Sequence, residues 1–247
     1  MKAYFLSLWI MGAAFLPALA QDSPFAKGAK PESAYTFNAS MTYKMTTVNR
    51  KGKSSSMTTK YYFSPKSTTI GMKMLSSSDN AGGGLDFMVM DISQAKVFTF
   101  MESKMVIGMA LRQDKVNEMM EKENGAISVT KTAEKKTIMG YDCEGYAVKN
   151  DNDKSDILMW VSKKPVESIA GLGEQMARTY MGSGKGAQNN YFAYNAHPEL
   201  TKMAKEGRAI LGYTTKTEKG DVTEMELTEI EPKINYIFKA SDYKSMF

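Results

Sequence analysis

The residues best able to do chemistry in this chain are its single cysteine, Cys143, and its single histidine, His197. Together they could act as a thiolate and its base, or as two ligands of a metal ion. They are too few for a metal centre, which needs three or four such ligands. A reactive thiolate needs a nearby cation, whereas the acidic Asp142 and Glu144 flank Cys143. The pattern favours a buried, unreactive cysteine in a strand, and we assign no catalytic residue and no metal site.

Loops and charge give no sign of a phosphate or nucleic-acid ligand. The segment GSGKGAQ, 182–188, resembles a phosphate-binding loop, but Gly186 follows Lys185 where that loop requires serine or threonine. The net charge is +5, and lysines are interspersed with acidic residues without a long run of one sign. Such a surface is solvated, so we expect no nucleic-acid partner and no cofactor.

Methionine is the most unusual feature of the composition, with 21 residues in the chain. Thioethers bind soft metals such as Cu(I), and flexible methionines also line cavities for apolar ligands of variable shape. A methionine-rich core produces the same spacing in strands, so these three interpretations stay open. If a cavity exists, we expect it to be lined by apolar residues of the predicted strands, namely Met72, Met74, Met88, Met90, Phe98, Phe100 and Met159.

Residues 1–20 predict a cleaved secretory signal peptide. Lys2 supplies the positive start, 4–15 the apolar stretch, and Ala18 and Ala20 the small residues of a cleavage site. Gln21, not cysteine, follows the expected cut, so no lipid anchor is predicted. No later apolar run is long enough to span a membrane. The mature protein is therefore expected in the periplasm or outside the cell.

The elements that must position these residues are mainly strands. After a polar, flexible lead-in at 21–34, apolar residues alternate with polar ones from Tyr35 onward. That period of two predicts a meander of five antiparallel strands ending near Glu102. Further strands are predicted in AISVTKT, YDCEGYAVK and DILMWVSK, and a terminal hairpin is predicted over 208–231.

Helices are predicted only after the meander. The patterns of 112–123 and 167–181 are helical, and a third helix is expected to begin near Pro198. Together, the predicted strands and helices indicate an α+β fold. In it, two or three helices cover the concave face of a large curved antiparallel sheet, a half-barrel. Residues 35–247 are expected to form one domain.

A short motif in one predicted strand resembles that of a known family. Gly140, Tyr141, Cys143 and Tyr146 match Gly-Tyr-x-Cys-x-x-Tyr, the motif of a family of exported bacterial proteins described only as a domain of unknown function. The preceding KKTIM and the following DILMWVSK fit the flanking segments of that family. The resemblance implies the fold of the periplasmic lipoprotein carriers, with helices over an apolar cavity, and it implies a structural role for the motif.

The leading hypothesis is a non-catalytic envelope protein that binds a lipid or another apolar small molecule. The alternative is a protein-interaction module with a solid core, which binds an envelope protein through loops near 82–84 and 182–186. Copper binding by methionine is a third hypothesis. Carboxylates distant in sequence could also converge, so a hydrolase stays open, although no spacing indicates such a pair.

Overall fold

The computed structural model describes residues 25–64, 67–78, 84–91, 94, 96–111, 127–150, 153–166 and 198–246. Within these ranges the chain forms mainly β-strands. In chain order they are β1 Phe25–Lys27, β2 Tyr35–Phe37, β3 Ala39–Val48, β4 Ser54–Phe63, β5 Thr69–Ser77, β6 Leu85–Asp91, β7 Lys96–Met101, β8 Met105–Leu111, β9 Ile127–Ile138, β10 Tyr141–Asn150, β11 Asp153–Ser162, β12 Ile210–Lys216, β13 Val222–Glu231, β14 Tyr236–Phe238 and β15 Lys244–Ser245. One α-helix, α1 Pro198–Lys205, and a 3-10 turn at Ala240–Asp242 complete the described elements.

Thirteen of these strands form one sheet. Two antiparallel meanders, β3 to β8 and β9 to β13, are joined side by side through β3 and β13. Strands β1 and β15 both pair with β8, β1 antiparallel and β15 parallel. The remaining strands, β2 and β14, form a separate pair. The large antiparallel sheet predicted from the sequence is therefore confirmed.

Strands β9 to β13 curl over one face of the sheet. Four strand spacings, about 19 Å in a flat sheet, separate β9 from β13, yet Lys136 of β9 forms an ion pair with Glu226 of β13. Gly212 of β12 permits the close approach, because a Cβ atom there would lie 3.3 Å from Cδ1 of Ile138. The Lys136 ammonium also lies 5.8 Å from the centre of the Trp160 ring. The predicted curvature of the sheet is thus confirmed.

The β9–β10 hairpin turns through the first residue of the proposed family motif. Met139 and Gly140 both have positive φ, +51° and +80°, the backbone of a tight two-residue hairpin turn. Glycine takes this conformation without cost, whereas Met139 is strained. The turn brings Tyr141 opposite Ile138 and Cys143 opposite Lys136.

The β2–β14 pair packs an aromatic cluster against the first meander. The rings of Phe87 and Phe238 stack at 4.2 Å, and those of Tyr62 and Tyr236 at 4.5 Å. Gly71 leaves room for this layer, because a Cβ atom there would lie 2.6 Å from Cζ of Phe87. We call this group the aromatic cluster; its buried rings are Tyr35, Phe37, Tyr62, Phe87, Phe98, Phe100 and Phe238.

The predicted helices over a concave face are not supported by the described residues. Helix α1 begins at Pro198, where proline fits the first turn, and its buried Met203 packs with Tyr146 and Met159. The helices predicted over 112–123 and 167–181 lie outside the described residues. The strands therefore match the sequence analysis more closely than the helical segments do.

Two strand predictions are corrected by the structure. The alternation from Tyr35 to Met45 predicts one strand, but Asn38 divides it into β2 and β3, which belong to different sheets. The backbone N–H of Asn38 donates to the Phe63 carbonyl, and its own carbonyl accepts from the N–H of Ile234, so it connects β4 to the segment between β13 and β14. Strand β8 is absent from the sequence prediction, because MVIGMAL is apolar throughout and shows no period of two.

Candidate functional site

The methionines of the strands share one face of the sheet. Residues directly opposite each other in antiparallel strands point to the same face, and this face continues along a strand at every second residue. Met72 lies opposite Met88, and Met45 lies opposite Met225. Extended through the remaining strand pairs, this register places all twelve methionines of the described strands on the same face. We call this the methionine face; its methionines are Met41, Met45, Met57, Met72, Met74, Met88, Met90, Met101, Met105, Met109, Met159 and Met225.

The opposite face carries different apolar residues. In β6, Phe87 and Val89 point into the aromatic cluster, whereas Met88 and Met90 point to the methionine face. Phe87, Val89 and Met88 are all buried, so burial alone does not separate the two sides. In β6, phenylalanine and valine therefore occupy one face and methionine occupies the other.

Along the strands, the methionine face becomes more exposed and more polar toward the β3–β4 and β12–β13 turns. Its inner row, Met41, Tyr61, Met72 and Met88, is buried. Nearer the β3–β4 and β12–β13 turns, a row formed by Met225, Met45 and Met57 is half-buried. The next row outward is polar, and its Thr47 and Thr223 hydroxyls lie 3.0 Å apart. The face thus runs from a deep apolar region to a rim of hydroxyl groups.

Two tyrosines on the methionine face, Tyr43 and Tyr61, are uncharged and hold the inner rows in place. The Tyr43 hydroxyl donates to the Ile210 carbonyl at 3.0 Å and lies 3.8 Å from the Met41 sulfur. Its ring meets that of Tyr61 edge to face at 5.9 Å. Burial raises the pKa of both Tyr43 and Tyr61, so neither is a source of negative charge at neutral pH.

The structure separates the seven residues predicted to line a cavity. Met72, Met74, Met88, Met90 and Met159 lie on the methionine face. Whether they line a cavity stays a prediction.

The two predicted phenylalanines, Phe98 and Phe100, lie on the opposite face within the aromatic cluster. The register decides this, because Met88 lies opposite Thr99 rather than opposite either phenylalanine. The sequence analysis does not include Met45, Met57 and Met225 among the predicted site residues. Each of them lies in a strand with alternating apolar and polar residues, and this alternation is the pattern that could have identified them.

Cys143 is placed where it cannot react readily. Its side chain is buried, 2% exposed, and its thiol lies 3.4 Å from the Tyr141 carbonyl, to which it donates. Burial raises the pKa of the thiol, and the charge of Asp142 raises it further. His197 lies outside the described residues, as do the loops of the interaction hypothesis except Gly84.

A charged cluster fastens the chain after helix α1 to the second meander. Arg208 is 12% exposed at its side chain and donates to the Glu144 carboxylate at 2.9 Å and to the Ser162 carbonyl at 2.6 Å. Lys131 donates to the other Glu144 oxygen at 2.8 Å, and Tyr146 donates to the first at 3.2 Å. The hydrogen bond from Lys131 lowers the pKa of Glu144, so this carboxylate is charged and satisfied rather than poised as an acid.

Two common features, a metal-ligand cluster and a membrane-spanning helix, are absent from the described part of the chain. Among those residues, no group of three or more His, Cys, Asp or Glu side chains is placed to hold a metal ion. No described helix combines the length and apolar character needed to cross a bilayer.

Fold and site together define a protein built on one large curved antiparallel sheet, with a methionine-rich face and an aromatic-packed face. Residues 37–235 match the family model described as Domain of unknown function (DUF4412), and the chain belongs to that family. This confirms the resemblance to a family of unknown function, whereas the role of its short motif stays a prediction. No curated protein matches the chain.

Several solved structures resemble the chain at low sequence identity. PNGF-II is 12% identical with a TM-score of 0.37; the match covers 84% of this chain but only 30% of PNGF-II. A LolA superfamily protein from Nitrosomonas europaea is 8% identical with a TM-score of 0.32, covering 79% and 86% of the two chains. A DUF1329 family protein from Desulfovibrio piger is 9% identical with a TM-score of 0.30, covering 79% and 85%. With TM-scores this low, these likenesses carry no argument about function.

Proposed function

We propose that this protein binds an apolar ligand, a lipid or another molecule with a hydrocarbon chain, on its methionine face and without catalysing a reaction. The segregation of methionine carries the proposal. Strand β6 buries side chains on both sides, yet it uses Phe87 and Val89 on one and Met88 and Met90 on the other. Phenylalanine and valine suit a permanent core, whereas flexible, polarizable methionine suits a surface whose partner varies or exchanges.

The grading of the methionine face supports an amphiphilic ligand. A hydrocarbon chain would contact half-buried methionines such as Met74 and Met90, which border the buried inner row, and a polar end would reach the hydroxyls of Thr47 and Thr223. Apolar contact contributes about 0.8 kcal/mol for each CH₂ group buried. A chain of several such groups is therefore enough for useful affinity, and the hydroxyl rim sets its direction.

The absence of catalysis and the location are parts of the same proposal. Among the described residues, Cys143 and Glu144 carry the side chains best able to react. Cys143 is buried, and Glu144 is held in ion pairs with Lys131 and Arg208. The signal pattern of residues 1–20 supports export to the periplasm or beyond, where a carrier for apolar molecules would work.

Binding is tested with a neutral lipophilic dye, N-phenyl-1-naphthylamine, and by native mass spectrometry of protein purified without detergent. Saturable dye fluorescence and a co-purifying apolar ligand are expected. Met74→Gln and Met90→Gln place an amide on half-buried positions of the methionine face. Each is expected to weaken dye binding about tenfold, because an amide without a partner costs about 1 to 3 kcal/mol in an apolar contact.

The matched controls make the same change away from the methionine face. Met139 lies in the β9–β10 turn and Met246 near the chain end, and both are exposed. Met139→Gln and Met246→Gln should leave dye affinity unchanged. Absence of saturable binding in the unaltered protein, or equal losses in controls and site variants, would contradict the proposal.

A further inference from the structure

We propose that Met225, Met45 and Met57 form a binding site for one soft monovalent metal ion, Cu(I) or its redox-stable analogue Ag(I). The three residues are direct cross-strand neighbours on β13, β3 and β4, with Met45 in the middle. This site is separate in chemistry from apolar ligand binding and does not rest on it. It uses the sulfur atoms, whereas a hydrocarbon chain uses the apolar surface.

The spacing of the three residues suits convergence on one ion. Directly opposed residues of antiparallel strands have Cβ atoms about 5 Å apart. The methionine side chain is unbranched with three rotatable bonds, so the outer two sulfurs can turn toward the sulfur of Met45. Three neutral thioethers form a soft ligand set, which favours Cu(I) or Ag(I) over hard cations such as Mg²⁺ and Ca²⁺.

The surroundings keep other ligands away while leaving the row accessible. Met225, Met45 and Met57 are half-buried, so solvent reaches this row. Lys44 and Glu226 alternate with Met45 and Met225, and therefore point to the opposite face. A carboxylate that would recruit harder cations is thus absent from this row.

The buried pair Met72 and Met88 provides an internal comparison. These residues also lie directly opposite each other on the methionine face, but only 4% and 8% of their surfaces are exposed. They offer two sulfurs rather than three, within the packed inner row. A metal ion should therefore select the half-buried row.

The test titrates Ag(I) as the nitrate, in chloride-free buffer, into the full chain and measures heat. All variants carry Cys143→Ala, because a thiolate is a strong soft-metal ligand that would compete. One ion per chain is expected to bind. Met45→Leu, Met57→Leu and Met225→Leu should each weaken binding at least about tenfold, a loss that even an outer-shell substitution can cause at a metal site.

Leucine removes the sulfur atom without removing the apolar surface. Methionine and leucine have similar volume and apolar character, so Met45→Leu should keep the fold, as urea unfolding measures, while it loses Ag(I) binding. Met72→Leu is the matched control and should leave Ag(I) affinity unchanged. In the intact wild-type chain, methyl-labelled methionine should show NMR shifts at residues 45, 57 and 225 when Ag(I) is added.

Three outcomes would overturn the metal site. They are no heat and no methyl shift on adding Ag(I), full affinity in Met45→Leu, or equal loss in Met72→Leu. None of these results would bear on dye binding, so failure of the metal site is distinguishable from failure of the proposed function.

Discussion

The carbonyl oxygen of Ala29 occupies the space into which a Cβ atom at Gly108 would project. The Gly28 N–H donates to the Gly108 carbonyl at 3.2 Å, so the segment after β1 lies directly across β8. The obstructing atom belongs to the backbone and cannot rotate away as a side chain could. Glycine at 108 is therefore a requirement for docking this segment on the sheet edge.

Gly108→Ala is expected to displace the segment after β1 and to lower the free energy of unfolding by about 1 to 3 kcal/mol, as overpacking typically does. The amide of Gly28 should exchange hydrogen faster in the variant. Urea unfolding and amide exchange measure the two effects. Ala110→Ser adds one atom on the same side of β8 and should change neither quantity much; identical exchange of Gly28 in wild type and Gly108→Ala would refute the docking role.

Met139→Asn is expected to stabilise the protein by about 0.5 to 1 kcal/mol. Met139 is held at a φ of +51°, and asparagine tolerates the left-handed conformation better than methionine. Asn followed by Gly140 is also the preferred pair for a two-residue hairpin turn. Thermal unfolding measures the gain, and Met246→Asn, at an exposed position outside the turn, is the comparison that should show none.

Glu144→Gln should make the free energy of unfolding less dependent on pH in the acidic range. The folded pKa of Glu144 lies below its ordinary value of 4.5, chiefly because Lys131 donates to its carboxylate. Between the folded pKa and pH 4.5, the unfolded state therefore binds more protons than the folded state. The stabilisation is complete above pH 4.5 and is lost as pH falls through the folded pKa. Urea unfolding at a series of acidic pH values should show a steeper decline in the wild type than in Glu144→Gln.

Lys131→Met provides the companion variant for the same carboxylate. It removes the main cause of the lowered pKa of Glu144 and should reduce the acid-side slope while leaving the contact of Arg208 with Glu144. Slopes that equal the wild-type value in both variants would show that this cluster does not contribute to acid sensitivity.

Native Cys143 should resist thiol reagents. Its side chain is buried and burial raises the pKa of the thiol, so labelling requires local opening. An opening that costs about 3 kcal/mol slows labelling by about a hundredfold. Stopped-flow labelling should be slow in buffer and fast in urea, whereas Thr137→Cys in a Cys143→Ala background, exposed on β9, should react at once. Rapid labelling of native Cys143 would show that the thiol is accessible.

Local periodicity alone determined most of the strands. The alternating residues of β3 to β7 and of β10 to β13 repeat at every second position, a pattern that depends on neighbours along the chain. The burial of Cys143 followed from the same local reasoning, because acidic residues flank it within a strand. Strand β8 lacked this signal because it is apolar throughout.

Pairing between distant segments determined what periodicity could not. Strands β1, β14 and β15 have three residues or fewer, and each exists as a strand through its partner, β8 or β2. The break at Asn38 likewise depends on Phe63 and Ile234, which are distant in sequence. Such contacts leave no local trace in composition or spacing.

The sequence by itself determined that Met72 and Met74 share a face, and that Phe98 and Phe100 share a face. Only the tertiary structure decided that these faces are opposite, because the β6–β7 register sets Met88 against Thr99. The phase of one strand relative to another is a property of their hydrogen-bonded pairing, and a slip by one residue reverses every side chain. For the same reason, the gathering of the methionines on one face became visible only in the assembled sheet.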